Sequence, residues 1–317
     1  MLNDLGFGPI SQFGVRSPGH EGAGVVVKIG SNVTNWKVGD RGGVKPTWDV
    51  CMNCEFCWNG KHETHCAKSK QTGMEVPGTY QQYIVSPAKY TTRIPDGVDD
   101  FCAGPIMCSG STIHRSVSLN KYVKVQMADL LQLVESQLKA GDWAVFPGAG
   151  GGVGHMGVQL AKAMGFRVIG VDGGDEKRAL CEKLGCEAFV DFTKVKDVTA
   201  EVMKITGLGA QGVFVTAGNA AAYGSAPGML GVGGKLMCIG LRELHPAIRS
   251  PRFSLRHEIA PAGNLMVGAH PTEFILKNLH VIGTKVGSMK DTDAALNFAA
   301  RVSGVFRKLC KHANIVL

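Results

Sequence analysis

Residues 148–154 read GAGGGVG, between an apolar run, WAVFP, and a segment patterned as a helix. Gly148, Gly151 and Gly154 permit a tight turn at which backbone approaches backbone. The following helix then opens with free N–H groups, and Gly152 and Val153 form its first turn. Such a loop predicts a buried parallel strand leading into a helix. After Gly152, the residues Val153, Met156, Gly157, Leu160, Ala161 and Met164 recur at 3.6-residue spacing on one face. Further apolar runs at 143–146, 167–171, 188–190, 213–216, 236–239 and 281–284 predict six strands, with helical patterns between most of them. That alternation implies an α/β, Rossmann-type doubly wound parallel sheet. The second strand, RVIGVD, ends at Asp172, 21 residues after Gly151. A carboxylate there accepts hydrogen bonds from both ribose hydroxyls of a dinucleotide and repels a 2′-phosphate, so the pattern favours NAD over NADP.

The first 110 or so residues are written differently. Short β-type runs such as Val25–Val27 and Tyr83-Ile84-Val85 are punctuated by turn residues, as in WKVGDRGG and Pro95-Asp96-Gly97. This predicts an irregular, β-rich domain. Within it Cys51, Cys54, Cys57 and Cys66 form C-x2-C-x2-C-x8-C. Four thiolates satisfy a closed tetrahedral zinc site, and three Cys at x2 spacing seldom occur without a metal. His62 and His65 are read as loop residues, with His65 an alternative to Cys66. Cys181 and Cys186 bracket a predicted helix end and are read as buried packing.

The formal charge is +8, from 34 Lys and Arg against 26 Asp and Glu. A nucleic-acid surface would gather that excess on one face. Instead +7 of it falls in three segments, 117–132, 242–260 and 301–317, and the remainder is nearly neutral. The longest uncharged stretch, 205–234, contains nine Gly and a Pro, too polar and broken for a membrane span. Neither a nucleic-acid partner nor a membrane is expected. The opening MLNDLGFGPI lacks a basic region before an apolar run. Cytosol is the expected compartment, with the ten Cys as thiols or metal ligands.

The string GHEGAGVVVKIGSNV (19–33), the Cys cluster, PIMCSGSTIH (105–114) and the glycine loop with VDGGDEK follow one another in order. Together they resemble the zinc-dependent medium-chain alcohol dehydrogenases, most of all the fungal tetrameric type. The likeness spans residues 1–116, 133–241 and 261–300. It implies a GroES-like catalytic domain with a structural zinc lobe over 1–116 and an NAD-binding Rossmann domain over 133–288. It implies catalytic zinc at His20 and Cys108, with Glu21 as an alternate ligand, and structural zinc at the four clustered Cys. Gly151, Gly152, Val153, Asp172, Lys177 and Phe192 would contact NAD. Ile239, Leu241, Thr284 and Val286 would line its nicotinamide side. The implied activity is hydride transfer between a primary or secondary alcohol and NAD, giving the aldehyde or ketone. The implied partner is a small alcohol or aldehyde, in a homodimer or homotetramer. LHVIGTKVG (279–287) resembles the family's dimer-forming edge.

Four departures stand against the pattern. The family's first zinc ligand and its proton relay lie before the GHE motif, and none of the 19 residues preceding His20 is Cys or His. This leads to an expectation of one tightly held zinc and poor alcohol oxidation. Residues 117–132 interrupt a helical pattern running from 108 to 140, and 242–260 separate GL from PAG. Both read as insertions, of a kind that unspliced or mistranslated sequence would leave. The 289–317 segment is atypical, and the C-x8-C spacing is one residue longer than usual. Two other functions share the fold or the loop: a zinc-independent quinone or enoyl reductase, and a non-catalytic dinucleotide- and zinc-binding protein. The Cys cluster and Asp172 argue against the reductase.

Overall fold

The computed structural model describes residues 15–58, 62–119, 138–240, 267 and 269–301. They fall into two compact units. One runs to His114 and resumes at Lys285; the other runs from Arg115 and ends at Thr284. The boundaries expected from the motifs are 116 and 288. Of the expected insertions, 117–119 continue a helix, while 120–132 and 242–260 lie outside the described residues.

The first unit is built of short strands, as its turn-rich sequence requires. Strand β1 (Gly22–Val25) pairs antiparallel with β2 (Arg41–Val44), and β2 with β5 (Thr92–Arg93). A second ribbon joins β3 (Thr47–Asp49) to β4 (Lys70–Gln71). Helix α1 (Glu55–Trp58) lies within the Cys-rich segment. Helix α2 (Asp100–Pro105) is capped by Asp99, whose side chain accepts from the Phe101 N–H. A π-helical turn, Ile106–Gly110, then leads into α3 (Ser111–Leu119). The expected strand at 83–85 is not formed. Tyr83 and Val85 are exposed, and the Val85 carbonyl accepts instead from the Trp48 indole at 3.1 Å.

The second unit carries the expected sheet. Its strands are β6 (Trp143–Pro147), β7 (Arg167–Asp172), β8 (Ala188–Asp191), β9 (Ala210–Val215), β10 (Leu230–Cys238) and β11 (His280–Gly283). They are hydrogen-bonded in the order β11-β10-β9-β6-β7-β8, and every pair is parallel. This is the doubly wound order, with the direction of winding reversing between β6 and β9. Helices α4 (Gly152–Ala163), α5 (Asp175–Leu184), α6 (Val198–Thr206), α7 (Ala220–Ser225) and α8 (Pro271–Lys277) belong to the same unit.

Val145, Ile169, Val190, Val213, Val215 and Leu236 form the sheet's buried core with Val202 of α6. Strands covered on both faces need such runs of Val, Ile and Leu rather than alternation. On α4, Met156, Gly157, Leu160 and Ala161 are buried as the periodicity requires, while Val153 and Met164 at the ends are half-buried. Helix α9 (Met289–Arg301), in the first unit, buries Thr292, Ala295, Leu296 and Ala299.

Candidate active site and metal centres

In the first unit, two groups of side chains gather as metal ligands do. The ligand atoms of Cys51, Cys54, Cys57 and Cys66 all lie within 4.8 Å of one another. Two of the sulfur separations are 3.8 Å (Cys51–Cys57) and 3.5 Å (Cys54–Cys57). Sulfurs at the corners of a tetrahedron with Zn–S bonds of about 2.3 Å would be about 3.8 Å apart. The Cys66 sulfur also accepts from the backbone N–H groups of Cys51, at 3.5 Å, and Lys68, at 3.4 Å. The donor set and its spacing therefore fit a structural zinc. Cys66, not His65, completes the group. His65 lies on the 3₁₀ turn Glu63–His65, its ring edge-on to that of His62 at 6.0 Å.

A buried ion network supports this lobe. Lys45, 3% exposed, donates to the Tyr90 carbonyl at 2.6 Å and the Thr92 hydroxyl at 2.8 Å, and its ammonium lies over the Tyr90 ring. Tyr90 donates to Glu63, which also accepts from the Met289 N–H at 2.7 Å. Burial pulls the Lys45 ammonium down to about 7, against the attraction of Glu63.

The second group is His20, Glu21 and Cys108, whose ligand atoms likewise lie within 4.8 Å of one another. His20 is fixed by a close backbone crossing. Gly78 N–H donates to the Ser17 carbonyl, Thr79 N–H to that of Gly19 and Tyr80 N–H to that of Pro18. A Cβ at Gly78 would lie 2.3 Å from the carbonyl oxygens of Pro18 and Gly19, so only glycine fits there. Cys108 sits in the middle of the π-helical turn, a distortion that frequently marks functional positions.

His20 and Cys108 are half-buried and Glu21 is exposed, yet crowding by neighbouring protein disfavours the charged form at all three ligands. The His20 imidazole is shifted down by desolvation, leaving a neutral nitrogen with a free lone pair. The Glu21 carboxyl is shifted up by desolvation, although Ser109 donates to it at 3.3 Å. The Cys108 thiol is pushed up to about 12, first by burial and then by the Glu21 charge. A carboxylate and a thiolate side by side repel each other, and a dication between them would relieve both. Three ligands of these types fit a metal that keeps an open position. Ser109 and Gly78 are parts of this site that the motifs do not single out. Ser109 sits inside PIMCSGSTIH, while Gly78 carries no signal.

In the second unit, the candidate nucleotide residues gather at the carboxyl ends of the strands. Gly148 follows β6, Asp172 ends β7, Phe192 follows β8, Ile239 follows β10 and Thr284 follows β11. A Cβ at Gly154 would lie 2.0 Å from the Gly148 carbonyl oxygen, so the first turn of α4 closes on the loop only with glycine. Ala217, after β9, lies against both Gly148 and Gly240 and ties three strand ends together. Thr216 donates to the carbonyls of Pro147 at 2.9 Å and Gly148 at 3.1 Å.

Asp172 is 4% exposed and accepts from the N–H groups of Gly150 at 2.9 Å and Gly173 at 2.8 Å. Lys177 donates to the same carboxylate at 2.8 Å, and its aliphatic stem covers Gly150. The pairing of Asp172 with Lys177 has no sequence signal, and it offsets part of the carboxylate's charge. Phe192 is 54% exposed. Ile239 is buried, and Thr284 N–H donates to the Cys238 carbonyl at 3.0 Å. Leu241 lies outside the described residues, and Val286 belongs to the first unit.

Paired metal-ligand clusters and a doubly wound nucleotide fold define a class, the zinc-binding dehydrogenases. Residues 7–96 match the alcohol dehydrogenase GroES-like domain, and residues 152–301 match the zinc-binding dehydrogenase domain. An alcohol dehydrogenase of Schizosaccharomyces pombe is 37% identical over 283 residues, covering 89% of this chain and 70% of its own length. The chain belongs to the zinc-dependent medium-chain alcohol dehydrogenase family, and it is an oxidoreductase. Among solved structures, a cinnamyl alcohol dehydrogenase of Sorghum bicolor is 25% identical with a TM-score of 0.67, covering 90% of this chain and 71% of its own. The alcohol dehydrogenase of Aeropyrum pernix is similar in fold, with a TM-score of 0.70 at 22% identity, covering 90% and 72%. Among the described residues no helix is long and apolar enough to cross a membrane.

Proposed function

We propose that this chain interconverts a primary or secondary alcohol with its aldehyde or ketone, using NAD and a zinc ion held by His20, Glu21 and Cys108. The observation that carries this reading is the convergence of an imidazole, a carboxylate and a thiol within 4.8 Å. Their chain also holds a dinucleotide loop. When bound, zinc supplies Lewis acidity toward the alcohol oxygen, and NAD supplies the hydride acceptor. His20 stays neutral and can ligate through its lone pair. Cys108 holds its proton until a cation replaces it. Glu21, bonded to Ser109, can exchange between Ser109 and the metal. Gly148 to Gly154 would cradle the pyrophosphate at the start of α4, and Asp172 would take the ribose hydroxyls. Cys51, Cys54, Cys57 and Cys66 would hold a second zinc in a structural role.

The test compares NAD and NADP as oxidants of ethanol and a longer primary alcohol, with the full chain and with Cys108→Ser. The reading expects slow NADH production, with NAD in preference to NADP, and loss of both that turnover and the more loosely held zinc equivalent in Cys108→Ser. Tighter binding of NADP, or turnover untouched by Cys108→Ser, would overturn it.

A further inference from the structure

We propose that Cys181 and Cys186 are an oxidisable dithiol, a modification site where hydrogen peroxide converts two thiols into a reversible intramolecular disulfide.

The geometry comes from the end of α5. Gly185 takes a left-handed conformation, φ 103°, and its N–H donates to the Glu182 carbonyl at 3.0 Å. The Cys186 N–H reaches back to the Cys181 carbonyl, also at 3.0 Å. These two bonds define a Schellman cap, in which the first and last residues of the six normally bury an apolar contact against each other. Here both positions of that contact are cysteines. The backbone bond between them, Cys186 N–H to Cys181 carbonyl at 3.0 Å, brings the two residues side by side across the cap, as a disulfide with its Cα span of about 4.4–6.8 Å requires. The two sulfurs lie close enough for each to influence the other's ionisation. Bridging would therefore need rotation about side-chain bonds rather than movement of the backbone.

Access differs between the two sulfurs. Cys181 is buried and Cys186 half-buried, packed close to Gly170 on β7. The peroxide would meet Cys186, which gives up two electrons to become a sulfenic acid as the peroxide is reduced to one water. Cys181 then attacks the sulfenic sulfur. The S–S bond forms as the S–O bond breaks, and the hydroxyl leaves with a proton as a second water. Two thiols and one peroxide become one disulfide and two waters.

Treating the full chain with a few equivalents of hydrogen peroxide, blocking free thiols with iodoacetamide and digesting with trypsin tests this. Residues 179–183 (ALCEK) and 184–194 (LGCEAFVDFTK) are separate tryptic peptides, so a bridge shows as a linked pair. The expected result is that pair, released by dithiothreitol and missing from Cys181→Ala and Cys186→Ala. In Cys181→Ala, Cys186 should instead advance to the sulfinic acid, having lost the thiol that intercepts it. If the unsubstituted chain shows both cysteines carbamidomethylated after peroxide, the proposal is wrong. It is equally wrong if Cys186 becomes sulfinic while Cys181 stays free. Both readouts use the unsubstituted chain, so a variant that fails to fold does not affect them.

Discussion

Asp172 is legible in the sequence because its place follows from two patterns, a strand and a glycine loop at a fixed distance. Its company is not. Lys177, on the first turn of α5, bonds to the same oxygen as the Gly173 N–H. Asp172→Gly should weaken NAD binding about ten- to a hundredfold, since hydrogen bonds to a charged group contribute about 1.5–3 kcal/mol. NADP should be weakened less, and titration of both cofactors measures the ratio. An unchanged ratio would exclude Asp172 as the discriminating group. Lys45 gives no signal at all, because GGVKP looks like any turn after a strand. Its buried ammonium faces Glu63 and lies over Tyr90. Folded, it gives up its proton near 7; unfolded, it keeps it to about 10.5. Between those values the unfolded chain binds more protons, so this group makes stability rise with pH. Below about 7 both states are protonated and the penalty for burying the charge is fully felt. Urea denaturation from about pH 6 to 9 should show that slope, and Lys45→Met should flatten it.

At the scale of elements, the strands of the nucleotide unit are readable because each is a continuous apolar run between breakers. Their apolar runs extend one residue beyond the ladder at Thr216, Ile239 and Thr284, where side chains turn from sheet to loop. The first unit is less readable. Its strands are two to four residues long, too short for any period to show, and the Tyr83-Ile84-Val85 run does not become a strand. The π-helical turn at Cys108 is likewise hidden, since no residue pattern marks an i→i+5 bond. Gly154→Ala should destabilise the nucleotide unit by about 1–3 kcal/mol or more, because its Cβ would meet the Gly148 carbonyl at 2.0 Å. The midpoint of urea unfolding measures it, and a shift within error would mean that the loop yields. The two metal groups should also separate under chelation. A three-ligand site with an open position exchanges with solvent more readily than a closed site of four thiolates. A chelator should therefore strip one equivalent of zinc quickly and a second slowly. Release of both in one phase would contradict the division of roles.

For the whole molecule, the order of the motifs is enough to give two units and their family, because each unit is specified largely by a contiguous run of its own residues. The position of the last helix is not legible: α9 follows the nucleotide sheet in sequence yet belongs to the first unit. A nucleotide at about a hundred times its dissociation constant stabilises its unit by about 2.7 kcal/mol. At about 2–4 °C per kcal/mol for units of this size, NADH should raise its thermal midpoint by about 5–11 °C. A calorimetric scan with and without NADH checks this. The two metal groups also differ in how far apart their ligands lie along the chain. Cys51 and Cys66 are 15 residues apart, whereas His20 and Cys108 are 88 apart. Closing the longer loop costs about 1.6 kcal/mol more in chain entropy. The four-cysteine lobe can therefore close around a metal while most of the chain is still searching, whereas the three-ligand group exists only once β1 and the π-helical turn have docked. Zinc added at the start of refolding should speed the earliest phase through the lobe, and zinc withheld until the end should still fill the His20 group, in a chain that reached it more slowly.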